Sequence, residues 1–239
     1  WNEMKVLITS FKELVHLANP YYLGYGNPDS NILFLGKEKA FNIYQNPELF
    51  IHESVNNTLQ WKLIDQKKEK RNHYDILEEL GFNPLFPKCY FKQKTRKRHT
   101  WGIYSKIVEG IENKTDLLNE TENYNNSFFS HCFLSEINHI PSRYSENRKL
   151  IEVRKNLLKS DFFKNFRTVI IGAKGYLTND KIKEIFEPEG EGEIIQLDNK
   201  EALKYRNNNG QTIIYCNQLS GAAGWTNKAI NKLIKILKD

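Results

Sequence analysis

Four runs of apolar residues constrain the fold of this chain most, because their hydrophobic residues follow one another without alternating with polar ones. A strand with one face in water alternates, so these runs predict strands that are covered on both faces. Such strands are typical of a parallel sheet with helices on either side. The runs span residues 31–36, 128–138, 167–173 and 211–219, and 193–197 is a weaker fifth strand.

Helical patterns alternate with these strands along the chain. Apolar residues recur at helical spacing in residues 4–18, 57–69, 73–81, 101–112, 146–160, 178–186 and 226–238. This alternation predicts one α/β domain over residues 1–239, with three α/β/α layers and a mostly parallel sheet of four to five strands. Within it we expect an N-terminal helix in 1–19, a basic loop in 88–101 and a polar surface excursion in 113–127.

Composition narrows the class of protein. No apolar run approaches the roughly 18 residues that a membrane span needs, and the start of the chain lacks a signal-peptide pattern. The three cysteines, Cys89, Cys132 and Cys216, are odd in number and far apart, which excludes a disulfide framework, a zinc ribbon and a four-cysteine iron–sulfur cluster. We expect a monomer without metal or cofactor in a bacterial-type cytoplasm, acting at the nucleoid.

The positive charge of the chain is concentrated in one stretch. The net charge is +6, and the stretch from Leu80 to Val108 carries seven basic residues and no acidic one. Its centre, "YFKQKTRKRHTWGIY", mixes Lys94, Arg96, Lys97 and Arg98 with aromatic residues. Cations neutralise phosphates and aromatic faces stack on bases, so the mixture suits DNA binding. A solvated loop followed by a helix whose Trp101 and Tyr104 face the core is the alternative.

Unusual polar residues follow three of the predicted strands. They are Gly36-Lys37-Glu38, then Ser135-Glu136-Ile137-Asn138-His139, then Asn217-Gln218-Leu219-Ser220, which continues as "GAAGW" into a helix. Ligands of parallel sheets bind at the carboxyl ends of the strands. Small residues before a helix let a backbone approach a phosphate, although a helix cap by Ser220 or Thr226 explains the same pattern. The turn in 170–176 reads as a plain strand-to-helix connection.

Together these strand ends resemble the motifs of the uracil-DNA glycosylase superfamily. Glu38 stands two residues after Gly36, where the first motif carries its catalytic side chain, and Leu219, Ser220 and Gly224 keep the spacing of the third motif. The strand that ends at Asn138 is similar to the second. The chain departs from the pattern in three places: Lys39 replaces a proline, Ala40 replaces the tyrosine that blocks 5-substituted pyrimidines, and Tyr215 falls on the histidine of the third motif.

The resemblance implies roles for the residues at these strand ends. Glu38 would orient the attacking water, with Asn138 as the second catalytic residue and reader of the base edge. The base would contact Phe41, Ala40, Glu136 and Ser135. DNA phosphates would bind Lys37, Lys39, Gln218, Ser220, Gly221, Gly224 and the basic residues Lys94, Arg96, Lys97 and Arg98. From strand alternation we also expect Glu136 and Asn138 on one side of their strand.

The implied activity is that of a monofunctional DNA glycosylase, which flips a base and hydrolyses its N-glycosidic bond. Its substrate is uracil or, because Ala40 leaves room at C5, a bulky 5-modified pyrimidine such as hydroxymethylcytosine or its glucosylated form in phage DNA. Two alternatives stay open: a non-catalytic nucleic-acid-binding module on the same fold, and a nucleotide hydrolase or transferase. For single residues the alternatives are a solvated carboxylate for Glu38, a core residue for Phe41 and a turn residue for Asn138.

Overall fold

The computed structural model describes residues 22–40, 42, 45, 57, 61, 100–113, 126–142 and 151–239. Several predicted elements lie outside these residues: the helices in 4–18 and 73–81, most of the helix in 57–69, and most of the polar excursion in 113–127, as does Phe41. Of the predicted basic loop in 88–101, residues 88–99 also lie outside, and its last two residues are helical instead. Within the described part the chain is an α/β protein built on a single sheet. No helix in that part is both long and apolar enough to cross a membrane.

The sheet has seven strands in the order β1-β3-β2-β4-β7-β6-β5. Their bounds are β1 Tyr25–Gly26, β2 Ile32–Gly36, β3 Phe133–Glu136, β4 Thr168–Gly172, β5 Glu193–Leu197, β6 Lys200–Arg206 and β7 Thr212–Cys216. The four central strands β3, β2, β4 and β7 are parallel, whereas β1, β6 and β5 join antiparallel at the two sides. The prediction of a mostly parallel sheet with four to five strands is therefore wrong for the sheet as a whole, which is mixed.

The apolar runs correctly located the central strands, and the differences have physical causes. The predicted strand in 128–138 begins as a 3-10 helix, Asn126–His131, in which Phe128 and Phe129 are buried, and only Phe133–Glu136 joins the sheet. Two strands were missed. β1 has only two residues, and the sequence of β6, "KEALKYR", is too polar to suggest a strand because several of its side chains remain partly exposed.

Five described helices cover the two faces of the sheet. They are α1 Thr100–Glu112, α2 Ile151–Leu158, α3 Asp161–Lys164, α4 Asn179–Phe186 and α5 Asn227–Lys238. Alternate residues of the central strands point to opposite faces, so Leu33 and Leu35 pack with α2, α3 and α4, while Ile32 and Phe34 pack with α1 and α5. The described residues thus form helix, sheet and helix layers with a hydrophobic core on each face.

The register of the parallel strands brings their carboxyl ends to one edge. Gly36 of β2 lies beside Glu136 of β3, and on the other side of β2 the strand β4 runs in register. Gly172, the last residue of β4, lies beside Cys216 of β7. The segments that follow β2, β3, β4 and β7 therefore leave the sheet along the same edge, with β4 between β2 and β7.

Candidate functional site

A half-buried carboxylate lies at this edge. Glu38 follows β2, and its Oε2 accepts a hydrogen bond from the hydroxyl of Tyr176, which follows β4. The same hydroxyl accepts a hydrogen bond of 3.3 Å from Nδ2 of Asn138, which follows β3. We call these three residues the Glu38 cluster. It joins the ends of three adjacent parallel strands, and it includes both predicted catalytic residues.

Backbone hydrogen bonds continue between the loops after β2 and β3, and they fix how Glu38 and Asn138 approach each other. The amide of Ile137 donates to the carbonyl of Gly36 at 2.9 Å, and that of Asn138 donates to Lys37 at 2.8 Å. Farther along, the amide of Ser142 donates to the carbonyl of Lys39 at 2.9 Å. The two loops therefore leave the sheet as one hydrogen-bonded pair. The backbone on either side of Glu38 is held by the loop after β3.

The side chain of Asn138 is used within the protein. It is buried, its Oδ1 accepts a hydrogen bond of 3.2 Å from the amide of Ile140, and its Nδ2 donates to Tyr176. These contacts orient the amide plane with the donor end toward the Glu38 cluster. The arrangement favours a role in holding the Tyr176 hydroxyl over the predicted reading of a base edge.

Tyr176 was not among the predicted site residues. It lies in the turn formed by residues 173–177, directly after β4, and Gly175 in this turn has a left-handed φ of +81°. The glycine allows the tight reversal that returns Tyr176 to the sheet edge. The signal in the sequence was the combination "GAKGY" at the end of a buried strand, but a glycine turn alone also fits an ordinary strand-to-helix connection.

The two lysines that flank Glu38 have different surroundings. The ammonium of Lys37 lies 5.9 Å from the centre of the Tyr176 ring, beside the Glu38 cluster. The ammonium of Lys39 lies 4.3 Å from the ring centre of Tyr22 and 4.6 Å from that of Tyr25, and it also donates to the Tyr25 hydroxyl. Cation–π contacts of this kind anchor a side chain. Lys37 thus remains at the site, while Lys39 ties the loop to β1.

A buried arginine, also missed from the sequence, supports the end of β3. Arg154 of α2 is fully buried and donates to the carbonyls of Tyr22 at 2.5 Å and Glu136 at 3.0 Å, and to the hydroxyl of Ser135 at 3.2 Å. Burial lowers the pKa of Arg154 to about 10, which leaves it charged at neutral pH. Ser135, predicted to contact the base, is buried and donates to the carbonyl of Leu23.

Two further groups near the end of β3 respond to burial and charge. Burial, assisted by the charge of Arg154, lowers the pKa of His139 to about 4, so this imidazole is neutral at pH 7. Burial also raises the pKa of Tyr104 well above its usual value, and the nearby carboxylate of Glu136 adds to this effect. Tyr104 belongs to α1, in the layer opposite Arg154.

Strand alternation predicted that Glu136 and Asn138 lie on one side of their strand. The structure places them in different surroundings. A Cβ atom placed on Gly36 would lie 2.1 Å from Oε2 of Glu136, so this carboxylate rests directly on the glycine. Asn138 bonds to Tyr176, whose ring packs in the layer of α2 and α4. The physical reason is that β3 ends at Glu136, so its two-residue alternation does not extend to Asn138.

The third predicted segment, 218–224, lies at the end of β7 and is folded on itself. The amide of Ser220 donates to Gln218 at 2.9 Å, and the Gly221–Ala223 turn is 3-10 helical. The indole of Trp225 donates to the carbonyl of Gln218 at 3.0 Å. Gly224 has a left-handed φ of +72°. This segment packs closely against the end of β4. A Cβ atom placed on Gly172 would lie 3.3 Å from the amide nitrogen of Leu219.

Helix α5 after this segment begins with its own cap. It starts at Asn227, and the amide of Ala229 donates at 3.0 Å to the hydroxyl of Thr226, which is therefore the cap instead of Ser220. The carboxylate of Asp198 lies 3.3 Å from this hydroxyl and 2.9 Å from the ammonium of Lys228. A protein carboxylate thus already occupies the anion-favouring end of the helix.

Ala40, the expected roomy position, is exposed. Phe41 and the basic residues Lys94, Arg96, Lys97 and Arg98 lie outside the described residues, so their predicted contacts stay predictions. Among the residues described, no cluster of three or more histidine, cysteine or acidic side chains could hold a metal ion. No model of a known protein family matches the chain, and no curated protein matches its sequence.

Proposed function

We propose that this chain is a divergent member of the uracil-DNA glycosylase superfamily with the corresponding three-layer fold, and that it is a monofunctional DNA glycosylase. It would flip a base out of DNA and hydrolyse the N-glycosidic bond, leaving an abasic site. The observation that carries the proposal is the Glu38 cluster, in which a half-buried carboxylate is oriented by Tyr176 at the carboxyl edge of parallel strands.

The chemistry of this reaction needs a carboxylate near C1′ of the sugar. As the base departs, positive charge develops on the sugar ring, and a water molecule must attack C1′. A carboxylate held by one oxygen can use its other oxygen to orient that water and to stabilise the sugar cation. Tyr176 donates to Oε2 of Glu38, so Oε1 is the oxygen that we assign to the water.

The neighbouring residues support this chemistry in different ways. Lys37, beside the cluster, would contact the phosphate that flanks the flipped nucleotide, together with the basic residues of 94–98. Asn138 would act through Tyr176, because its amide is already bonded to that hydroxyl and to Ile140. Lys39 would hold the loop against Tyr22 and Tyr25 and leave the phosphates to Lys37.

The substrate that we propose is a pyrimidine with a bulky group at C5. Ala40 is small and exposed where the family's first motif carries a blocking tyrosine. Hydroxymethylcytosine and its glucosylated form fit this criterion, and both mark phage DNA. The enzyme would then serve antiviral defence in the cytoplasm through base excision, with uracil as the competing substrate.

The test is base release from end-labelled duplexes that contain uracil, 5-hydroxymethylcytosine or its glucosylated form. Hot alkali cleaves the strand at each abasic site, and a gel resolves the product. Glu38→Gln should lower the single-turnover rate constant about 100-fold or more while DNA affinity persists. Glu189→Gln, which removes an exposed carboxylate far along the chain, is the matched control and should retain wild-type rates.

Each outcome decides a different part of the proposal. Release of uracil without release of either bulky base would refute the substrate assignment and keep the glycosylase. DNA binding without base release would identify a non-catalytic binding module. Equal rates for Glu38→Gln and wild type would remove Glu38 from the mechanism.

A further inference from the structure

We propose that Tyr215 is a positioning residue for Glu38, acting through the 173–177 turn and Tyr176. This inference rests on the proposed function. Tyr215 is the residue that falls on the histidine of the third family motif, yet it lies within β7 and is buried. Its hydroxyl reaches the turn after the neighbouring strand β4 instead of extending to a ligand.

The hydroxyl of Tyr215 contacts three backbone groups of this turn. It accepts a hydrogen bond of 2.9 Å from the amide of Gly175, donates to the carbonyl of Leu177, and lies 3.0 Å from the carbonyl of Ala173. One side chain therefore contacts groups at the start, the middle and the end of the turn. Burial raises the pKa of Tyr215, so the phenol keeps its proton and can donate at neutral pH.

The turn transmits this geometry to the Glu38 cluster. The amide of Tyr176 donates to the carbonyl of Ala173 at 2.8 Å, and the amide of Lys174 donates to the carbonyl of Cys216 at 2.8 Å. Both bonds hold the backbone of the same five-residue turn. The hydroxyl of Tyr176, which belongs to this turn, donates to Glu38. Removing the Tyr215 hydroxyl leaves the turn groups without this partner, so the turn relaxes and the Tyr176 hydroxyl moves.

Tyr205 provides a matched control. It lies on β6, the other neighbour of β7, and it is buried in the same core layer as Tyr215. Its hydroxyl is buried and has no hydrogen-bond partner among the residues that the structure describes. Tyr205→Phe thus removes a buried phenol hydroxyl from the same layer and keeps the hydrogen bonds that Tyr215 makes to the 173–177 turn.

The first measurement does not depend on activity. Tyrosine labelled with ¹³C at Cζ gives one NMR signal per residue, and Tyr176→Phe identifies the signal of Tyr176. Glu38→Gln should shift that signal, since the phenol donates to the carboxylate. Tyr215→Phe should shift it as well, and Tyr205→Phe should leave it in place. An unmoved Tyr176 signal in Tyr215→Phe overturns the inference.

The second measurement is single-turnover base release. Tyr215→Phe should slow the rate constant about 10-fold with unchanged DNA affinity, because a small misplacement of a catalytic group lowers the rate and spares binding. Tyr205→Phe should match wild type. A shifted NMR signal with an unchanged rate would also overturn the inference, since the contact would then be structural alone.

Failure of the proposed function is recognised separately. Wild-type protein that releases no base would refute the glycosylase, while the NMR signal still decides whether Tyr215 sets the position of Tyr176. If Tyr215→Phe does not fold, Gly175→Ala is tested in its place. The added methyl group has open space around it, but it strains the backbone at φ +81° and so perturbs the same turn. An unmoved Tyr176 signal in that variant would equally overturn the inference.

Discussion

Two regions at the same edge of the sheet, the ends of β2, β3 and β4 and the end of β7, differ in what their polar groups do. After β2, β3 and β4, the side chains of Glu38, Asn138 and Tyr176 form one hydrogen-bonded cluster. After β7, the amides of Ser220 and Ala223 donate to carbonyls within the 218–224 segment, Thr226 caps α5, and Asp198 occupies the end of the helix. Sequence patterns alone predicted ligand contacts at both places.

The difference bears on where the proposed reaction would take place. A side chain that is held by neighbours from other strands keeps one geometry, which a reaction requires. A loop that closes on itself needs no ligand to be stable, and a carboxylate at a helix N-terminus opposes a second anion there. We therefore propose that the reacting centre lies between β2, β3 and β4, and we expect variants in 218–224 and at Thr226 to affect stability more than rate.

The largest effect is expected for Arg154, which supports the end of β3. Arg154→Ala should lower the free energy of unfolding by about 3 kcal/mol or more, because buried carbonyls lose a charged donor and a cavity remains. Urea unfolding measures the change. The exposed Arg167 is the control, and Arg167→Ala should stay within about 0.5 kcal/mol of wild type. Similar values for the two variants would show that Arg154 does not support the site.

Gly175 and Gly224 compare the two strand ends directly. Both have a left-handed φ and room for a methyl group, so alanine at either position should cost about 1 kcal/mol through backbone strain. Gly175→Ala should also slow single-turnover base release about 10-fold, because it displaces the turn that carries Tyr176. Gly224→Ala should leave that rate constant unchanged. The reverse pattern would move the reacting centre to the β7 end.

Thr226 tests whether the β7 end serves stability. Thr226→Ala removes the cap of α5 and should lower the free energy of unfolding by about 1 kcal/mol. Thr178 caps α4 in the same way on the other core layer, so Thr178→Ala is the matched comparison. Base release by Thr226→Ala at saturating protein should equal that of wild type. A loss of rate with intact stability would argue that the segment contributes to the reaction.

The smallest effect is expected at Asp198. Its hydrogen bond to Lys228 lowers the pKa of this carboxyl, so the unfolded state binds the proton more readily than the folded state. The stability that Asp198 contributes is therefore present above about pH 4 and is lost as the pH falls below that value. Unfolding of wild type and Asp198→Asn should converge in acid. If inorganic phosphate stabilises Asp198→Asn more than wild type, the α5 terminus is an anion site.

Of the residues that form and support the Glu38 cluster, the sequence predicted Glu38 and Asn138 and missed Tyr176 and Arg154. Glu38 and Asn138 could be found because each follows a buried strand, and the carboxyl ends of parallel strands meet. Tyr176 and Arg154 could not, since a tyrosine in a glycine turn and an arginine in a helix are ordinary on a surface. Only the packing shows that one hydroxyl reaches Glu38 and that the guanidinium is fully buried.

The sequence by itself determined the central strands, their parallel direction and the layers around them, because continuous apolar runs can be buried only between two helical layers. The tertiary structure decided which polar groups are used internally and which remain at the edge. Lys37 and Lys39 have the same chemistry and flank the same glutamate, yet one faces Tyr176 and the other lies over Tyr22 and Tyr25. Such assignments depend on partners distant along the chain, and those partners are set by packing across the whole sheet.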